Sequence, residues 1–221
     1  MSLRDLASLF PEAIEAEVSA IDSIRSHLIG KWAMANPLLV ITPNSRVADL
    51  IKSELESILE FKVSEFLPWE TLPHERLSPK GDTVTKRLKV LNEIQSKNPP
   101  RIIITSIRGL LQPISKSTIT SKVINLNAGL EIGMDKLLNE LVHFGYTRTD
   151  LVERRGDFAV RGGIVDLFPA DLEHPIRIDF FGDDIESISY FTVSDQRTFE
   201  IVNELKVFPR SEEHTSELQS R

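Results

Sequence analysis

Residues 158–188 read FAVRGGIVDLFPADLEHPIRIDFFGDDIESI, in which apolar and polar side chains alternate with the period of two that is typical of β-strands. In the segment 175–181 this alternation divides the side chains between the two faces of a strand. One face carries Ile176, Ile178 and Phe180, and the other carries Arg177, Asp179 and Phe181. Two adjacent phenylalanines cannot both enter one core, so Phe181 is predicted to lie on the face opposite to Phe180.

The strand pattern continues on both sides of this stretch and predicts a small α+β domain with an antiparallel sheet. Gly162-Gly163 and the loop 169–173 supply its turns. Strands are predicted at 122–126, 158–160, 164–168, 176–181 and 185–193, with one amphipathic helix at 133–144. The domain is predicted to occupy residues 115–200, after a polar linker at 115–121, and residues 201–209 are expected to begin a return to the first domain.

The first half of the chain alternates strands and helices. Apolar runs at 38–41, 61–66 and 101–105 predict strands, and helical periodicity separates them. Repeated βα units form parallel sheets with right-handed crossovers. Residues 1–114 are therefore predicted to be an α/β domain with a parallel, P-loop-like nucleotide fold that is degenerate and incomplete. We expect this domain to expose apolar sheet edge and to be less stable than the second.

Bulk composition excludes several functional classes. The 221 residues carry a net charge of −7, so nucleic-acid binding would need a local basic patch. The absence of cysteine rules out disulfides and thiolate chemistry, and the five histidines lack the spacing of a zinc site. No signal peptide is apparent and the apolar runs are too short to cross a bilayer, so we expect a cytoplasmic protein.

Candidate catalytic and nucleotide-binding residues are few. A P-loop requires Gly-x-x-x-x-Gly-Lys-Ser/Thr, whereas Gly30-Lys31 is followed by Trp32 and preceded at the required position by Arg25. This favours an ordinary glycine at a helix end. His74 and its neighbour Glu75 follow the second strand, where α/β proteins often place sites, but they are more typical of surface residues. We expect no catalytic residue, no metal site and no cofactor in this chain.

The last residues, 210–221, differ from the rest of the chain. Their back-translation into DNA looks like a common sequencing-adapter oligonucleotide read in frame for eleven codons. We expect this tail to be artefactual or disordered, and the natural protein to continue past Pro209.

Arg161, Arg177 and Phe181 are the candidate binding residues. Arginine beside an exposed aromatic ring is typical of a protein-interface hot spot. The alternative is a two-sided sheet in which Phe181 packs under a loop and the arginines are solvent-exposed charges. The residues alone leave both interpretations open.

Three segments together resemble one protein family. FLPWETLPHERLSP (66–79), GDTVTKRLKVLNEI (81–94) and the stretch from Arg155 to Ile188, in this order, look like the N-terminus of bacterial transcription-repair coupling factors (Mfd). The similarity extends over residues 38–209. The excinuclease B subunit (UvrB) shares the same module, but it carries an intact P-loop and a tyrosine-bearing hairpin that this sequence lacks.

The resemblance implies a function that spacing does not show. Family members recognise RNA polymerase stalled at a DNA lesion, displace it with an ATP-driven DNA translocase, and recruit UvrA for nucleotide excision repair. Their second domain binds UvrA through positions that match Arg161, Arg177 and Phe181. The resemblance therefore implies a binding module without catalytic activity, whose ATP, magnesium, polymerase and DNA contacts belong to other parts of the parent protein. The alternatives are a UvrB-like subunit of the excinuclease and a generic α/β ligand-binding protein.

Overall fold

The computed structural model describes residues 17–70, 80–114 and 122–210. The loop with His74 and Glu75, the linker 115–121 and residues 211–221 of the predicted tail lie outside the described residues. Contacts between residues divide the chain into two units. The first comprises Met1–Trp69 and Asn92–Pro113, and the second comprises Glu70–Leu91 and Ile114–Arg221. The domain boundaries inferred from the sequence stay predictions.

The first unit contains the predicted parallel sheet. Strands β1 (Leu38–Thr42), β2 (Val63–Phe66) and β3 (Ile102–Ser106) lie in the order β1-β3-β2, and both pairs are parallel. Helices α1 (Asp22–Ala35), α2 (Ser45–Ile58) and α4 (Ile107–Leu111) complete the unit. The predicted alternation of strand and helix is thus confirmed, while the P-loop-like character of the fold stays a prediction.

Helix α2 shows how the local sequence sets these elements. The side chain of Asn44 accepts a hydrogen bond from the backbone N–H of Val47 at 3.0 Å and caps the helix. The apolar stripe of α2 then packs on the sheet. The core of the unit is formed by Ile29, Ala33, Ala48, Ile51, Leu55, Val63, Ile102 and Ile104.

Apolar side chains remain exposed on the edge strand β1. Leu39 and Ile41 are 53% and 48% exposed on the face opposite to Leu38 and Val40, which pack against the core. The exposed sheet edge and the lower stability that the sequence predicts for this domain stay predictions.

The second unit is built on a six-stranded sheet. Its strands are β5 (Thr147–Arg148), β6 (Asp157–Arg161), β7 (Ile164–Leu167), β8 (Ile176–Phe181), β9 (Asp184–Phe191) and β10 (Thr198–Ile201). They lie in the order β10-β9-β8-β7-β6-β5, and every neighbouring pair is antiparallel except β5 with β6. Gly162 and Gly182 adopt positive φ angles of 58° and 64° in the tight turns after β6 and β8, which glycine permits without strain. The predicted antiparallel sheet is confirmed.

Two further strands and two helices complete this unit. Strand β4 (Ile124–Asn127) pairs antiparallel with β11 (Glu204–Val207), and the whole segment 201–209 lies in the second unit. Helix α5 (Met134–His143) buries Leu137 and Leu141. Helix α3 (Gly81–Ile94) contributes its residues up to Leu91.

The main core of the second unit lies on one face of the six-stranded sheet. Ile176, Ile178 and Phe180 of β8 enter it together with residues of β6, β7, β9 and α5. The register between β8 and β9 shifts between Asp179 and Phe180. Because of this bulge, Ile185 and Ile188 both reach the core although they are an odd number of residues apart.

Among the residues that the structure describes, no helix is both long and apolar enough to cross a lipid bilayer.

Candidate protein-binding face

The face of the six-stranded sheet opposite to the main core carries all three predicted binding residues. Arg177 of β8 pairs with Asp166 of β7 on one side and with Ser189 of β9 on the other. Asp166 in turn pairs with Ala159 of β6. Residues paired across neighbouring strands point to the same side of a sheet, so these four form a row across this face.

Phe181 lies at the end of β8 and is 79% exposed, whereas the adjacent Phe180 is 9% exposed in the core. The prediction that the two rings lie on opposite faces is therefore confirmed. The ring does not pack under a loop of the described chain, which was the alternative that the sequence left open. An aromatic ring that buries so little surface in its own fold is available to a partner.

Arg161 and Arg177 converge on one carboxylate, that of Asp166. The Nε and Nη2 groups of Arg177 donate to the two oxygens of Asp166 at 2.7 and 3.0 Å, and Nη2 of Arg161 donates to Oδ2 at 2.6 Å. Asp166 is only 1% exposed. A buried carboxylate is tolerated when charged hydrogen-bond donors satisfy it, as these two guanidinium groups do.

Gln196 closes the cluster from the turn after β9. Its backbone carbonyl accepts a hydrogen bond from Nη1 of Arg177 at 3.2 Å, and its side-chain oxygen lies 3.4 Å from Nη2 of Arg161. Gln196 is the one non-glycine residue with a positive φ angle, 61°, among the described residues. This left-handed conformation, which is uncommon for glutamine, is part of the turn that brings its carbonyl to Arg177.

The two arginines occupy different environments. Arg177 is packed, with 18% of its side chain exposed, and its guanidinium lies 4.9 Å from the centre of the Phe191 ring. Hydrogen bonding to Asp166 raises the pKa of Arg177 above its ordinary value, and this effect is larger than the lowering by burial. The side chain of Arg161 is 48% exposed. Arg161 and Phe181 are thus the accessible members of the predicted set, and Arg177 is held within the sheet surface.

Sequence reasoning missed Asp166 and Gln196. Asp166 was detectable in principle, because it is the one charged residue in the apolar strand Ile164–Leu167. Its partners were not, because they depend on the register of three strands. Gln196 carries no sequence signal for its conformation, since left-handed turns normally select glycine or asparagine.

The other residues that the sequence singled out show no site. Gly30 and Lys31 lie inside α1, where a Cβ on Gly30 would come within 3.1 Å of the Leu59 side chain. The expectation of a glycine at a helix end is therefore wrong. Gly30 is explained instead by the close approach of the Leu59 side chain to this position of α1. In residues 17–70, 80–114 and 122–210, no group of three or more His, Cys, Asp or Glu side chains could hold a metal ion.

Comparison with known proteins assigns this fold to a class. A model of the UvrB interaction domain matches residues 124–212, which include β4 to β11 and the whole candidate face. Residues 124–212, within the second unit, are thus similar to this domain.

The chain as a whole is a homologue of transcription-repair-coupling factors. It is 41% identical over 190 residues to the transcription-repair-coupling factor of Mycobacterium bovis, covering 83% of this chain and 15% of that protein. It is 31% identical over 179 residues to the protein of the same name from Escherichia coli, covering 80% of this chain and 16% of that protein. The corresponding values for Bacillus subtilis are 30% over 187 residues, 81% and 16%. The chain thus spans about one sixth of the length of these relatives, and the comparisons favour this family over the excinuclease B subunit.

Proposed function

We propose that the second unit is a docking module for UvrA, and that it links a transcription-repair-coupling factor to nucleotide excision repair. The observation that carries this proposal is the exposed ring of Phe181 on the same sheet face as Arg161 and Arg177. The family match supports it, because residues 124–212 match a model that is described as the UvrB interaction domain.

The composition of the face suits protein binding. Aromatic and arginine side chains dominate interface hot spots, because a ring buries a large area with little loss of conformational freedom and a guanidinium offers several directed donors. Here the ring of Phe181 is exposed, and the side chain of Arg161, two strands away on the same face, is half exposed. A rigid β-sheet presents both with little cost of ordering on association.

The activities of the whole relatives belong to the same proposal. The name of the relatives describes a factor that couples transcription to repair. We assign ATP and magnesium binding, translocation on double-stranded DNA and contact with RNA polymerase to parts of the parent protein other than this chain. The chain itself is proposed to be a non-catalytic module of a cytoplasmic protein.

A paired set of variants tests the docking function. Phe181→Ala combined with Arg161→Ala removes the two accessible side chains of the face and leaves the packed Arg177 in place. The matched control combines Leu111→Ala in the first unit with Arg148→Ala on β5. Leu111 is 75% exposed, and Arg148 is exposed and pairs with the core residue Phe158.

The measurement is capture of purified UvrA by the immobilised chain, with the thermal unfolding of each variant recorded in parallel. We expect the first variant to lose capture and the control to retain it, with both folded at the temperature of the assay and the first variant less stable, because the buried Asp166 loses one of its donors. Equal capture by the first variant and the parent would show that this face does not bind UvrA. Hydrolysis of ATP by the purified chain would contradict the assignment of a non-catalytic module.

A further inference from the structure

Asp166 has no role in the binding set inferred from sequence, yet its carboxylate accepts hydrogen bonds from both arginines of that set. Its carboxylate accepts three hydrogen bonds, two from Arg177 and one from Arg161. Its side chain is 1% exposed, so a partner cannot reach it directly. Buried ion pairs contribute little net stability compared with apolar packing, and a known use of such groups is to fix geometry.

The contacts of the cluster divide the work between the two arginines. Arg177 uses Nε, Nη1 and Nη2 in bonds to Asp166 and Gln196, and its guanidinium is stacked near Phe191. Arg161 is bound only through Nη2 within the described chain, and the N–H groups at Nε and Nη1 remain for a partner. Arg161 is also the more exposed of the two, at 48% against 18%.

The charge of the cluster indicates what those donors would bind. Two guanidinium groups against the carboxylate of Asp166 leave one net positive charge on the cluster itself, while the carboxylate of Asp179, on the same face of β8, accepts a hydrogen bond from Ser187. Donors on an exposed guanidinium match a carboxylate of the partner in charge and in geometry.

We infer that Asp166 is a positioning residue for docking: it fixes Arg177 in the sheet surface and orients Arg161 so that its free donors meet an acidic side chain of UvrA. This inference rests on the proposed function. It adds that the recognised surface of the partner presents a carboxylate to Arg161.

The substitution Asp166→Asn distinguishes positioning from simple charge attraction, because the two hypotheses predict opposite changes in the affinity for UvrA. The change preserves the shape of the side chain and raises the net charge of the cluster by one. If the face attracted an acidic partner by charge alone, binding would strengthen. If Asp166 positions Arg161, binding weakens. Asparagine has no charged oxygens with which to accept the hydrogen bonds of both arginines, so Arg161 is no longer held in place.

The experiment measures association and dissociation of UvrA by surface plasmon resonance on the complete chain. The variants are Asp166→Asn, Arg161→Ala and the double variant. We expect Asp166→Asn to dissociate about tenfold faster with no decrease in the association rate, since truncation in a buried charged pair acts mainly on dissociation. We expect the losses of Asp166→Asn and Arg161→Ala to be less than additive in the double variant, because Asp166 acts in part through Arg161.

The comparison of the two single variants with the double variant remains informative if Asp166→Asn lowers the stability of the fold. A general structural role would weaken binding equally with and without Arg161, so additive losses would overturn the inference, as would unchanged or tighter binding by Asp166→Asn. Failure of the parent chain to bind UvrA would instead refute the proposed function. Because the side chain of Arg161 is 48% exposed, we expect the Arg161→Ala variant to fold. Its loss of affinity for UvrA then tests the contact with the partner independently.

Discussion

Truncation of Phe181 to alanine should weaken docking to UvrA without changing the stability of the domain. The ring is 79% exposed and belongs to none of the core clusters. Substitutions of exposed residues away from caps, turns and cores usually change the free energy of unfolding by less than ~0.5 kcal/mol. The expected change in thermal stability is therefore close to the error of the measurement.

The expected effect on binding follows from the area that the ring still exposes. A phenylalanine side chain buries about 200 Å² when it is fully covered. With 79% of that area free, roughly 160 Å² is available to a partner. At ~25 cal/mol per Å² this gives a ceiling of ~4 kcal/mol. Alanine keeps part of the contact and a partner covers the ring incompletely, so we expect a loss of ~2–3 kcal/mol, or roughly 30- to 150-fold in Kd.

Isothermal titration calorimetry of the variant with UvrA provides the assay, and differential scanning calorimetry confirms that the fold is intact. Leu111→Ala is the control, since Leu111 is 75% exposed and lies in the first unit. A Kd within twofold of the parent, together with an unchanged Tm, would refute the reasoning. A weakened Kd with a lowered Tm would also refute it, because the ring would then contribute to the fold.

Three further predictions concern stability. Arg177→Ala should destabilise the second unit by about 3 kcal/mol in urea unfolding, because it leaves the buried Asp166 with one arginine; a loss below about 1 kcal/mol would contradict the ion cluster. Asn44→Ala should cost ~1 kcal/mol in the first unit by removing the cap on Val47, and Asn44→Ser should retain most of it. Burial raises the pKa of Glu65 above its ordinary value of 4.5, because the charged carboxylate is less favourable in the folded chain than in water. The free energy of unfolding should therefore fall as the pH rises through the raised pKa. Glu65→Gln should therefore raise Tm at pH 7, with a gain that disappears below pH 4.5; a constant gain at all pH values would contradict the assignment.

The faces of strand β8 could be predicted from sequence because they depend only on the local period. Side chains alternate in any strand, so the adjacent Phe180 and Phe181 had to separate, whatever the topology. The same locality explains why the alternation of strand and helix in the first unit was recognisable. Helix α3 shows the limit of such reasoning, since Asp82 is a typical capping residue by type but lies inside the first turn of a helix that begins at Gly81.

The ion cluster could not be predicted, because it depends on which residues the register brings together. Asp166 meets Arg177 only because β7 and β8 pair in one register, and a shift by one residue would move either side chain to the other face. Likewise, the sequence alternation assigns Ile185 to the outer face when it is counted from Ile188. The bulge between β8 and β9 reverses that assignment and places Ile185 in the core.

The two faces of β8 explain how one strand can serve both folding and binding. Its inner residues, Ile176 and Ile178, are completely buried, and changes there would leave a cavity that costs several kcal/mol. The outer face has its own small apolar cluster of Val152, Ala159, Phe168 and Phe191, and next to Ala159 the buried carboxylate of Asp166 sets the geometry of the arginines by directed hydrogen bonds. Such bonds hold a guanidinium in place while leaving its other donors and the neighbouring ring of Phe181 open to a partner. A larger apolar cluster would have covered Arg161 and Phe181 as well, and the face would then have had no exposed side chain to present to a partner.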